Sequence, residues 1–257
     1  MQQRFQFLTI ENDGVAARII LRRPPLNVLH LEMIQELNRA LRGVRPEGGL
    51  RAIVFSAEGK AFSAGVSVED HFPGRAAAML DAFHEIFRRL QALCCPTIAA
   101  VQGAALGGGC ELAGFADWVI ASETATFGLP EIRLGSLPPL AAVHFPHRIG
   151  RARTLQLMLS GETLGAREAE QIGLVDRVVR PQRLGATVEE TVERLREKSG
   201  PVLRLAKQAV LLAEGQNFEH GLSRVEHLFL KKVMKTRDAK EGLRAFLEKR
   251  PPEWTHR

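Results

Sequence analysis

Apolar positions along the chain keep changing their period. Phe5, Phe7 and Thr9 alternate, Asn12, Asp13 and Gly14 follow, and residues 15–21 resume an extended apolar run. This predicts an opening β-hairpin closed by a tight Asp-Gly turn. Leu31, Ile34, Leu37, Asn38 and Leu41 recur at helical spacing, and residues 52–56 form a short apolar run that predicts a buried strand. The alternation continues with a helix over 76–93, a strand over 97–101, a helix opening at glycines 107–109 and a strand over 117–121. Strands alternating with helices predict an α/β fold. Beyond about residue 138 the strand signal thins to 175–179. The segments 151–160, 182–198, 202–214, 218–234 and 239–249 read there as amphipathic helices. No Gly/Ser/Pro-rich linker or solenoid-length repeat divides the chain, so one core over 1–190 with a helical extension over 191–257 is expected. Helices that cannot bury their own apolar faces predict docking onto another copy of the chain.

Composition narrows the classes. With 257 residues, 45% hydrophobic and 25% charged, the chain has room for a large core and is neither disordered nor collagen-like. No stretch approaches the roughly 18 uncharged apolar residues of a membrane span, and the first twelve residues carry no leader-like pattern, so a cytoplasmic location and no membrane partner are expected. Cys94, Cys95 and Cys110 offer neither a disulfide framework nor metal-ligand spacing. Reduced, buried thiols and no metal are the expectation. A net charge of +6 and a pI near 9.6 suit an anionic partner, whether nucleic acid, acidic lipid or a phosphate-bearing molecule. Basic residues are interleaved with acids, and no recognition helix or zinc finger accompanies them, which argues against nucleic acid.

Candidate chemistry sits on two glycine-bearing loops. In residues 101–113, three consecutive glycines end a strand and open a helix, where free N–H groups can hold an oxyanion, a phosphate or a carboxylate. The competing reading is a tight turn needed only for packing. The second loop, residues 59–67, follows the strand over 52–56 and so lies at the C-terminal edge of the sheet, where ligands of open α/β sheets gather. Two backbone donors, one from each loop, would make an oxyanion hole.

On these residues the chain resembles the crotonase, or enoyl-CoA hydratase/isomerase, superfamily. The likeness runs through Arg-Arg-Pro-Pro-Leu-Asn in 21–29, both glycine loops, Phe-Gly-Leu-Pro-Glu in 125–135, residues 168–175 and residues 238–250. The resemblance implies a spiral of ββα units with a helical C-terminal trimerisation region, assembled as a trimer or dimer of trimers. It also implies an acyl-CoA substrate and no resident cofactor, coenzyme A arriving as part of the substrate. The implied oxyanion donors are the N–H groups of Val66 and Gly108, and the implied acid–base pair is Glu111 and Glu131. Such chemistry needs two carboxyls: one takes a proton from the water attacking Cβ while another supplies a proton at Cα. Taken singly, Glu111 reads rather as a first-turn helix acid and Glu131 as a solvated loop acid, and it is their company with the two glycine loops that points to catalysis. For coenzyme A, the resemblance implies Lys60, Ala64 and Val66 along the loop, Leu26 and Val28 beside the pantetheine arm, and Lys249 of the final helix on the nucleotide phosphates.

Residues 136–147 depart from the usual family continuation. Their double proline and apolar run are similar to hydratases of cyclic dienoyl-CoA substrates, in which Pro138 and Pro139 would stiffen a helix entry. His71, His144 and His147 lie near the site without metal-ligand spacing and stay outside the catalytic set. A hydratase adding water across the 2,3-double bond of an enoyl- or dienoyl-CoA is therefore expected. An isomerase or decarboxylase of the same superfamily is the alternative, separable by whether water enters the product. An idle CoA- or RNA-binding module is the rival of another class.

Overall fold

A computed structural model describes residues 5–46 and 49–256. Residues 1–4, part of the stretch read for a leader, and residue 257 lie outside the described residues. In chain order the elements are β1 (Leu8–Asn12), β2 (Ala16–Leu21), α1 (Leu31–Gly43), β3 (Ala52–Ala57), α2 (Ala76–Leu93), β4 (Thr97–Val101), β5 (Ala104–Leu106), α3 (Gly108–Gly114) and β6 (Trp118–Ser122). There follow β7 (Thr126–Gly128), α4 (Pro139–Ser160), β8 (Thr163–Gly165), α5 (Ala166–Gln171), β9 (Arg177–Val179), α6 (Leu184–Arg196), α7 (Gly200–Ala213), α8 (Phe218–Lys231) and α9 (Arg237–Leu247). The α/β expectation holds.

The hairpin turn is one residue longer than expected. Asp13 Oδ1 accepts the N–H groups of both Val15 and Ala16 at 2.8 Å, and Gly14 takes φ +85°, so residues 13–15 form the loop and β2 begins at Ala16. From β2 onward the large sheet is parallel, in the order β1-β2-β3-β4-β6-β9. Alternation along its strands supplies two buried faces. Ile53, Phe55, Ala99, Val101 and Val119 point into the core under α1 to α4, while Ala52, Val54, Ile98, Ala100 and Ile120 meet Val188, Val192 and Leu195 of α6. Burial on both faces explains why these strands read as nearly continuous apolar runs. Residue 190 falls within α6, whose buried stripe packs on this sheet.

The second sheet was not legible in the sequence. Three-residue strands β5, β7 and β8 form it, β5 parallel to β7 and β7 antiparallel to β8. Its effect is positional, because β5 runs into the triglycine and β7 into Pro130 and Glu131. Helix α4 begins at the double proline and bends at Gly150, where φ is +78°. Only its second half, 151–160, follows from helical spacing.

The C-terminal helices carry side-chain caps. Ser199 Oγ accepts from Val202 N–H, Asn217 Oδ1 from His220 N–H and Thr236 Oγ1 from Ala239 N–H, each satisfying a first-turn donor. The tail then folds back onto α9. Asp238, fully buried, accepts hydrogen bonds from the Ser199 hydroxyl, from the N–H and hydroxyl of Thr255 and from the His256 N–H.

Candidate active site

The loop after β3 is held in place by Asn27 and Ser63. Asn27 is completely buried with φ +48°, and its amide nitrogen donates to the carbonyls of Glu58 at 2.7 Å and Ala61 at 2.8 Å. Ser63 donates its hydroxyl to the Asn27 carbonyl at 2.8 Å and accepts the Gly65 N–H at 3.1 Å. Ladder bonds extend the framework: Ala64 N–H to Leu26 O, Leu29 N–H to Gly65 O, Ser67 N–H to Leu29 O and Leu106 N–H to Ser63 O. The last of these pins the loop to β5. Residues 58–66 and 26–29 thus form one surface. Leu26 and Lys60 are exposed on it, Val28, Ala64 and Val66 half-buried. The roles of Asn27 and Ser63 were not read from the sequence, because a buried Asn in a loop shows itself only through contacts 31 and 34 residues away.

The same ladder brings Val66 beside Gly108. A Cβ placed on Gly108 would lie 2.6 Å from Val66 Cγ2 and 3.0 Å from Phe83 Cζ, and one on Gly65 would lie 3.6 Å from the Gly108 nitrogen. Each triglycine residue is tied to a different neighbour. Gly107, at φ +50°, faces Glu131, whose Oε1 would stand 2.6 Å from a Cβ there, and a Cβ on Gly109 would run into the Ser63 carbonyl. Gly107 N–H is spent on Gly128 O at 2.9 Å. Among the described residues the N–H groups of Val66 and Gly108 have no backbone or side-chain acceptor. Gly108 is the first residue of α3, so its N–H has none within the helix and carries the positive end of the helix dipole.

Glu111 and Glu131 flank these donors. Glu111, one turn into α3, is 2% exposed, and its Oε1 accepts the Ala141 N–H of α4 at 2.8 Å. Burial pushes its carboxyl up to about 8, the Ala141 and Leu140 N–H groups opposing and the Glu131 charge adding to the rise. Glu131 sits in a 3-10 turn, Pro130–Leu134, that β7 delivers. Burial raises its carboxyl as well, partly offset by its own backbone N–H and by His71. Its Oε2 is buried without a hydrogen-bond partner among the described residues, a costly state for a carboxylate unless a ligand or water meets it.

The remaining expectations divide. His71 lies close enough to influence Glu131 and bonds the Ser67 carbonyl through Nδ1 at 2.8 Å. Cys95 and Cys110 are buried, with the Cys95 thiol pushed up to about 12 by burial and Cys110 raised for the same reason, so neither forms a thiolate readily. Cys94 corrects the buried-thiol reading, being half-buried where it ends α2 at φ +48°. Lys249 is also corrected: it lies two residues beyond the end of α9, exposed in a left-handed turn at φ +52°, so helical spacing does not govern where it points. No described helix is long and apolar enough to cross a membrane.

The family model described as enoyl-CoA hydratase/isomerase matches residues 11–257. A cyclohexa-1,5-dienecarbonyl-CoA hydratase of Thauera aromatica is 36% identical over 250 residues, covering 96% of each chain. A probable enoyl-CoA hydratase of Mycobacterium bovis is 38% identical over 256 residues, covering 98% of this chain and 99% of its own. Among solved structures, an enoyl-CoA hydratase subunit from Geobacillus kaustophilus superposes with a TM-score of 0.91 at 34% identity, over 99% of this chain and all of its own.

Proposed function

The chain belongs to the enoyl-CoA hydratase/isomerase family, has the crotonase fold and is an enzyme of enoyl-CoA hydratase type, and from that premise we propose that it adds water across the 2,3-double bond of an enoyl- or dienoyl-CoA thioester. The observation that carries the reading is the pairing of two unspent N–H groups, on Val66 and Gly108, with the buried carboxyl of Glu111 and the half-buried carboxyl of Glu131, whose Oε2 is enclosed without a partner among the described residues.

In this mechanism the thioester carbonyl oxygen lies between the two N–H groups. Water attacks Cβ, the new C–O bond forms, and the π electrons move through Cα onto the carbonyl oxygen, where the donors stabilise the negative charge by about 3–4 kcal/mol each. One carboxylate of the pair takes the proton released by water. The other, protonated, delivers its proton to Cα as the enolate collapses, leaving the pair with one proton as before. Burial raises both carboxyls, which supports the pair's holding one proton near neutrality before substrate binds. The reaction asks for no metal or redox group, because oxyanion donors and one acid–base pair supply each step.

The surface formed by 26–29 and 58–66 supports a place for pantetheine, with Leu26, Val28, Lys60, Ala64 and Val66 along it and Lys249 a cation for the phosphates. The helical region over 191–257, beyond the core of 1–190, is proposed to assemble three copies, or two sets of three, in a cytoplasmic enzyme. Its support is apolar surface: Phe246 is 82% and Leu247 81% exposed on α9, and Phe218 77% on α8. The similarity of residues 136–147 to cyclic dienoyl-CoA hydratases supports a ring-bearing acyl group. Turnover of linear and cyclic enoyl-CoAs followed by mass spectrometry tests the proposal. A product heavier by one water supports it, and a product of unchanged mass with a moved double bond favours an isomerase.

A further inference from the structure

A chain of aromatic contacts leads away from the oxyanion donors. Phe83, which a Cβ on Gly108 would touch, packs edge-on to Phe87 at 5.0 Å between ring centroids, Phe87 to Phe115 at 4.9 Å, and Phe115 to the His144 ring at 4.8 Å. Phe115 lies one turn below Glu111 on the same helix line, its N–H bonded to the Glu111 carbonyl at 3.0 Å. Phe87, Phe115 and His144, the last three of that chain, wall a cleft of about 340 Å³ between α2, the end of α3, the first turns of α4 and the end of α7, whose lining also includes His84, Leu140 and Val143. Leu140 and its neighbour Ala141 hold the Glu111 carboxyl, so the cleft begins where the acid–base pair ends.

Four exposed polar residues, Arg88, Gln91, His147 and Glu214, line its mouth, and the two half-buried imidazoles of His84 and His144 are the polar groups farther in. His84 Nε2 is buried with no partner among the described residues. His144 is largely enclosed, and desolvation holds it neutral at physiological pH, its pKa lowered to about 4. The Gly114 carbonyl lies against one His144 ring nitrogen and favours its N–H there, leaving the other as an acceptor. A neutral imidazole with an open acceptor asks for a donor, and an unpartnered imidazole nitrogen for any polar complement. A hydroxyl is both donor and acceptor, and carries no charge to be desolvated.

We propose, on the hydratase reading given above, that this cleft receives the distal end of the acyl group and that His84 and His144 select acyl groups bearing a hydroxyl there. The two histidines are specificity residues and take no part in water addition. A site built to hydrogen-bond a hydroxyl discriminates strongly against the analogue lacking it, because its own polar atoms are left unpaired.

The test compares kcat/KM for 2-enoyl-CoAs of six and eight carbons with a terminal methyl, hydroxyl or carboxylate, on the wild type and on His84→Phe and His144→Phe. Phenylalanine keeps the aromatic wall and removes the polar atoms. The wild type should prefer the hydroxylated member of at least one length by about ten-fold or more, and each variant should lose that preference while still hydrating the methyl-terminated substrate. A wild type indifferent to the hydroxyl, or preferring the carboxylate, overturns the inference while leaving the hydratase reading intact. So does a preference that survives both substitutions. A wild type that hydrates none of these linear substrates overturns this inference, and a cyclic dienoyl-CoA run beside them decides the hydratase reading separately: its hydration keeps that reading and its failure brings both down.

Discussion

At the scale of the residue, the site is governed by what burial does to two carboxyls. Glu111 and Glu131 were legible because each stands beside a glycine or proline signature, yet neither residue's environment was. A first-turn helix acid is usually solvated, whereas α4 covers Glu111 almost completely. His84 stood out by no motif in the sequence, and only the fold shows its Nε2 buried with no partner among the described residues. The Glu111 carboxyl, raised from 4.5 to about 8, gives a stability prediction with a definite sign. Between those pH values the folded state binds more protons than the unfolded chain, so this group's contribution is full below the unfolded pKa and falls as pH rises toward 8. Glu111→Gln mimics the protonated form and removes the penalty. Thermal melting should therefore show the variant gaining stability over the wild type as pH is raised from about 6 to about 8.5, and a difference in Tm that does not change with pH would contradict it.

At the scale of the element, helices and buried parallel strands followed from periodicity, α2 and β4 to the residue. The elements that aim the chemistry did not. β5, β7 and β8 are three residues each, too short for a period of two to declare itself, and they exist because ladder bonds from residues far away fix them. The glycine turn was visible, but its need for glycine at each position rests on the separate neighbours Glu131, Val66 with Phe83, and Ser63. Gly108→Ala should drive the first turn of α3 away from the loop carrying Val66, since the new Cβ would stand 2.6 Å from Val66 Cγ2. The expected outcome is a fall in kcat of about 10²–10³-fold with thioester affinity largely kept, because Val66 is the one residue of the 26–29 and 58–66 surface that the new Cβ meets. Near wild-type kcat would contradict the tight fit of Gly108 against Val66 and Phe83 from which this loss is expected.

At the scale of the whole molecule, the α/β core and helical extension were readable, whereas the fold-back of the tail was not. Nothing local in the sequence signals that Asp238 will be buried under Thr255 and His256 and bonded to Ser199. The exposed apolar faces of α8 and α9 predict assembly: light scattering should give three or six times the 28.4 kDa chain mass, and Phe246→Asp with Leu247→Asp should shift it toward the monomer. A concentration-independent 28.4 kDa species would contradict this. The central claim, that two backbone donors and two glutamates hydrate an enoyl thioester, is tested most directly by following the mass of enoyl-CoA products made by the wild type, Glu111→Gln and Glu131→Gln. The account predicts a product heavier by one water from the wild type and a loss of about a hundred-fold or more in kcat for each variant, with substrate binding retained; hydration at wild-type rate by either variant would contradict it.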